Sequence, residues 1–144
     1  MTSRYHHTQI GTLMLLVLPV SAVVCAAVGY LDPPAPNRPV LWGLAIMFVI
    51  LTGLFSSLTV DVTEDEVRWH FGPGLQRYRL ARRDIASVRP VRNSWLGGFG
   101  VRRRPGYRLY NVSGLDAVEL TLKSGEVRRL GTDDPQGLAA ALQA

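Results

Sequence analysis

Val40 to Leu58 reads VLWGLAIMFVILTGLFSSL, an unbroken apolar stretch without a charged side chain. As a helix it would be about 28 Å long, against a hydrocarbon core of roughly 30 Å. The stretch therefore predicts a membrane-spanning helix over 40–58, and everything after it reads as a domain hanging from a membrane.

Upstream, Ile10 to Val28 is again free of charge, and a first span is predicted over 10–30. Pro19 falls in mid-run, where a bilayer helix tolerates it as a kink rather than a stop. Residues 1–9 are polar, with Arg4, His6 and His7, and read as a juxtamembrane flank. A cleaved signal peptide is the competing reading, since Cys25-Ala26-Ala27 loosely imitates a cleavage site. Between the two apolar runs, residues 31–39 (LDPPAPNRP) hold four prolines and cannot continue a helix, so a short turn joins antiparallel spans. Ser21, Ala22, Cys25, Ala26 and Gly29 line one face of the first span with small side chains, which invites close packing of another helix. The second span, carrying Gly43, Gly53, Ser56 and Ser57, is the expected partner; self-association through the same face is the alternative.

The 144 residues carry 16 Lys and Arg against 11 Asp and Glu, with Lys123 the one lysine. Beyond the two spans the chain has room for one small soluble domain. A lone cysteine, Cys25, excludes an intrachain disulfide framework and a thiolate metal site. Most basic residues follow Leu58, whereas the proline-rich turn carries only Arg38, so the positive-inside tendency places the domain and both termini in the cytoplasm of a multi-pass protein of the cell membrane.

From Thr59 the pattern changes to alternation, the signature of strands. Leu58, Val60 and Val62 share a face, as do Val67, Trp69 and Phe71, then Tyr78 and Leu80, then Val118, Leu120 and Leu122. Turn residues separate them at Glu64-Asp65-Glu66, Gly72-Pro73-Gly74, Ser113 to Asp116 and Lys123 to Glu126. With strands at 85–91, 107–112 and 127–130 the expectation is seven antiparallel strands. Asn93 to Gly106 reads as a long glycine-rich loop. Asp134-Pro135 supplies a cap and a first helical proline, opening a terminal helix that presents Leu138 and Leu142 on one face.

LTVDVTEDEVRWHFGPG, RYRLARRDIASV, GFGVRR and YNVSGLDAVELTLKSGEVRRLGTDDPQGLAAAL together resemble the bacterial pleckstrin-homology-like (PH-like) domains of small membrane proteins. The resemblance spans Leu58 to Leu142, most specifically at Asp84-Ile85, Gly98 to Arg103 and Gly131 to Leu138. It implies a membrane helical hairpin followed by a mainly β PH-like domain over 59–144, a seven-stranded bent sandwich or partial barrel with a C-terminal capping helix. Such folds bind lipids, peptides or one another, so the fold alone names no ligand.

Charge concentrates in the middle of the domain, where Val67 to Tyr110 holds eleven arginines and one acid, Asp84. Arg102, Arg103 and Arg104 are expected on the glycine-rich loop, joined by Arg77, Arg79 and Arg92 in a basic face for anionic lipid headgroups or an acidic protein partner. Trp95 and Phe99 are loop anchors or interfacial wedges. The competing view makes the arginines a solvated face that protects strand edges. Nucleic acid is not an expected partner, since no matching motif is present. Catalysis is not expected either: His70 is the single histidine after Leu58, Gly97-Gly98-Phe99-Gly100 lacks the Gly-Lys-Ser/Thr ending of a phosphate loop, and no metal or other cofactor is called for. The expected role is a tethered binding or scaffolding module. A structural subunit that assembles through its transmembrane helices, as a homo-oligomer or with another membrane protein, is the alternative.

Overall fold

A computed structural model describes residues 4–32 and 36–144. The first three residues of the polar flank and the middle of the proline-rich turn lie outside the described residues. A helical segment near the N-terminus is followed by a mainly β domain and a terminal helix.

The polar flank is a strand, which the sequence reading missed. β1 (Tyr5–Ile10) pairs antiparallel with β2 (Ser57–Val62), from Tyr5 opposite Val62 to Ile10 opposite Ser57. Between them are α1 (Thr12–Leu31) and α2 (Arg38–Leu54), so a helical hairpin is inserted where a β-hairpin would have its turn. Only α1, among the described residues, is long and apolar enough by itself to cross a membrane. The expected second span is shorter than 40–58 predicted, because the helix stops at Leu54 and Ser57 and Leu58 already belong to β2. Leu58 is drawn out of the apolar run by the core, where it is fully buried.

α1 and α2 pack along the expected small-residue face, with Ala22 and Gly29 buried and Ser21, Cys25 and Ala26 half-buried. A side chain added at Gly29 would meet Trp42 Nε1 at 3.4 Å and Leu41 Cβ at 3.5 Å, which is why a glycine suits this crossing. The reciprocal small residue on α2 is Ala45. Gly43 and Gly53, predicted to meet α1, have no atom within 4 Å of an added Cβ.

The β domain consists of two sheets. Sheet A has the order β1-β2-β3-β4, with β3 (Glu66–Phe71) and β4 (Gln76–Ala81). Sheet B contains β5 (Ile85–Arg92), β6 (Gly100–Arg104), β7 (Tyr107–Asn111), β8 (Asp116–Leu122) and β9 (Val127–Gly131), in the order β5-β8-β9-β7-β6. Strands β1 and β6 exceed the seven expected, and β7 runs parallel to β9, a departure from the all-antiparallel expectation. The alternating residues named from the sequence face one another across the sheets: Val60, Val62, Val67, Trp69 and Phe71 share a core with Val118, Leu120, Leu122 and Leu130. α3 (Pro135–Gln143) closes it with Leu138 and Leu142, its first turn capped by Asp134, whose Oδ1 accepts from the Gly137 N–H at 3.0 Å.

Candidate membrane-surface site

Strand register defines one end of the domain as the helix-bearing end. In sheet A it is marked by Ile10, Ser57, Phe71 and Gln76. Gly72 follows Phe71 in a left-handed conformation, φ +46°, and an added Cβ would come 2.4 Å from the Gly53 carbonyl oxygen. The β3–β4 turn thus abuts the end of α2. In sheet B the same end carries Arg92, Asp116, Asn111 and Gly100. Here a Cβ added at Gly100 would lie 3.5 Å from the Phe55 ring, and the Gln9 side-chain amide donates to the Ser113 carbonyl at 2.9 Å.

Among the described residues outside α1, α2 and α3, the exposed large apolar side chains are Ile10, Leu75, Trp95, Leu96 and Val101. Ile10, Leu75 and Val101 belong to this end. Ile10 leads into α1, Leu75 sits on the β3–β4 turn and Val101 follows Gly100, whereas Trp95 and Leu96 lie on the connection between β5 and β6, whose Leu96 and Gly97 carbonyls accept from Arg104 at the far end of β6. Trp95 is 73% exposed and Leu75 76%, so neither anchors the core as a loop aromatic would. Phe99, by contrast, is half-buried and lines a groove with Met14, Leu18, Leu51 and Phe55 at the foot of the hairpin.

The predicted basic face is divided. Arg102, Arg103 and Arg104 stand on the edge strand β6 and not on the loop before it, because the positive φ of Gly98 and Gly100 turns the chain into pairing with β7. Arg102 is close to the helix-bearing end, where it borders the Phe99 groove and its Nε donates to the Phe99 carbonyl at 3.1 Å. Arg104, at the opposite end of β6, donates to the carbonyls of Gly97 and Leu96. Arg103 and Arg108 approach Glu126. That carboxyl is held below the usual carboxylate range, first by the hydrogen bond from Arg128, against the opposing effect of burial, and then by the charges of Arg128, Arg108 and Arg103. Part of the distal positive charge is therefore locally matched.

Arg77 and Arg79 lie on the outer face of sheet A with Arg68, His70 and Asp61, around an open cleft of 610 Å³. Arg77 is directly opposite His70, and Arg79 directly opposite Arg68, while Arg77 Nε donates to the Gly74 carbonyl at 2.7 Å. Register puts Arg77 beside the helix-bearing end and Arg79 farther out. Of the six arginines named from the sequence, register accordingly puts Arg77, Arg92 and Arg102 nearer the helix-bearing end, and Arg79, Arg103 and Arg104 farther from it.

Other charges serve the fold. Glu119, only 4% exposed, accepts from Arg129 Nε and Arg89 Nε, each at 2.7 Å. Burial pushes its carboxyl up, yet the hydrogen bonds and charges of Arg129 and Arg89 outweigh this and lower it overall. Asp133 pairs with His7 at 2.5 Å, and Asp134 Oδ2 accepts from the Tyr5 hydroxyl at 3.0 Å, tying β1 to the start of α3. Sequence reading had no signal for these long-range pairs.

No protein-family model matches the chain, and no curated protein matches it either.

Proposed function

We propose that this chain is an integral membrane protein whose α1–α2 hairpin crosses the bilayer twice and holds a PH-like recognition module end-on against the cytoplasmic leaflet. The observation that carries this reading is the exposure of Ile10, Leu75 and Val101 at the end that bears the helices. Pairing of Ile10 with Ser57 also bears on topology, since a chain that leaves one end of a sheet and re-enters beside its exit has both feet on one side of a membrane. α2 is about 26 Å long at 1.5 Å per residue, a mismatch with a core of roughly 30 Å that local thinning accommodates.

Recognition on this reading is of anionic headgroups by Arg77, Arg92 and Arg102, each worth about 1 kcal/mol near an anionic leaflet. Insertion of Leu75 and Val101 at the interface fixes the height of the domain. Because the module is tethered, weak surface contacts suffice to keep it docked. The scaffold then presents the outer face of sheet A, with Arg68 and Arg79, sideways to an acidic protein partner.

Depth-dependent fluorescence quenching tests the placement. In the full chain carrying Trp42→Phe, Trp95→Phe and Leu75→Trp, reconstituted into vesicles with bromine at graded acyl positions, emission from position 75 should be quenched by shallow bromines more than by deep ones, while Trp69 in the core contributes an unquenched background. Emission from position 75 indifferent to every brominated lipid would overturn the end-on placement.

A further inference from the structure

The groove at the foot of the hairpin has the shape and chemistry of a site for one lipid molecule. Its volume is 290 Å³, at the low end for a ligand pocket. Met14 and Leu18 of α1 form one wall, Leu51 and Phe55 the second, and Phe99 and Val101 the roof. Leu18 is about 10 Å along the helix from Gly11 and Leu51 about 6 Å from Phe55, so the groove descends from the headgroup level into the acyl region. At its upper rim stands Arg102, the one charged residue in the lining. Its Nε is used by the Phe99 carbonyl, and among the described residues Arg102 makes no ion pair. Its terminal amino groups make no hydrogen bond among the described residues and no carboxylate lines the groove, so a phosphate diester would meet a bidentate partner.

We infer that this groove binds a single anionic phospholipid, one acyl chain lying between α1 and α2 beneath β6 and the phosphate on Arg102. The inference rests on the hairpin being in the membrane and goes beyond general docking by assigning one lipid, one groove and one arginine. Apolar walls select a chain-bearing ligand over free phosphate. The lone positive charge selects an anionic headgroup over a zwitterionic one, whose own cation would be left facing Arg102.

The test uses the full chain, stripped of lipid in detergent and examined by native mass spectrometry with added phosphatidylglycerol, phosphatidylcholine or inorganic phosphate. Expected is one saturable phosphatidylglycerol per chain, with phosphatidylcholine and phosphate not retained. Arg102→Gln and the groove-filling Leu51→Trp should each weaken retention about tenfold, while Lys123→Gln, at an exposed position outside the groove, leaves it unchanged. Arg102→Gln alters an exposed side chain and keeps the test decisive should Leu51→Trp misfold, which circular dichroism would report. Equal retention of both lipids, retention of phosphate alone, or wild-type binding by Arg102→Gln overturns the inference. Quenching at position 75 without a retained lipid overturns the groove and leaves the end-on placement standing; loss of both overturns the two together.

Discussion

Asn111 and Gly131 make a pair in which neither residue can be exchanged cheaply. The Asn111 side chain is fully buried, donates to the Gly114 carbonyl at 2.9 Å and accepts from the Ser113 N–H, bracing the turn before β8. Its Oδ1 occupies the place of a Cβ at Gly131, 2.2 Å from the ideal position. Gly131→Ala should cost about 1–3 kcal/mol by overpacking, and Asn111→Ala a similar amount by orphaning the turn; urea unfolding of the detergent-solubilised chain reads both. Glu119 predicts a pH effect. Its carboxyl is lowered in the folded chain, so the stability it contributes is fully present above the ordinary value of 4.5 and is lost as pH falls through the lower, folded value. Glu119→Gln should therefore destabilise by about 2–3 kcal/mol at neutral pH. The gap between variant and wild type should narrow below about pH 4.5. A gap independent of pH would mean that Arg89 and Arg129 do not hold the charge.

Among the elements, the turn between β3 and β4 has the most demanding position. Gly72 combines a positive φ with backbone carbonyls of Gly53 and Leu54 at 2.4 and 2.8 Å from an added Cβ. Gly72→Ala should strain the turn and prise the domain from the end of α2, costing about 1–3 kcal/mol and raising protease sensitivity between Leu54 and Ser57. Core strands were legible because alternation of Val60, Val62, Val67, Trp69, Val118 and Leu120 maps onto one buried face. β1 was not, since YHHTQI buries little apolar area and turns Tyr5, His7 and Gln9 inward, with Asp134, Asp133 and Ser113 as partners. Those partners are distant in sequence, and periodicity is blind to them. β6 escaped for a related reason: GVRRR is an edge strand with four exposed positions after its glycine, and the preceding glycines read as a loop. The candidate site was legible in its residue types and not in its grouping, because register alone separates Arg102 from Arg104.

At the scale of the whole molecule, the domain is discontinuous in sequence and continuous in space. A fragment beginning at Thr59 would lack β1 and open an unpaired edge on β2. Joining Ile10 to Ser57 through Asn-Gly, in place of residues 11–56, should instead yield a water-soluble, monomeric β domain, since the two residues are already paired as the ends of a hairpin. Size-exclusion chromatography and far-ultraviolet circular dichroism of the two proteins should separate them, with the fragment from Thr59 aggregated or unfolded.

The same interruption orders events during synthesis. β1 leaves the ribosome before either helix, and its partner β2 only after both, so the first strand must wait, unpaired, while the hairpin is made. If the hairpin enters the bilayer, its two feet are brought side by side and the long closure that pairing requires is made by the membrane. If it does not, Ile10 and Ser57 remain strangers in a collapsing chain whose strands have exposed edges. On the proposed placement, the pairing of β1 with β2 thus follows delivery to the membrane, and the strand order makes that delivery a step of folding.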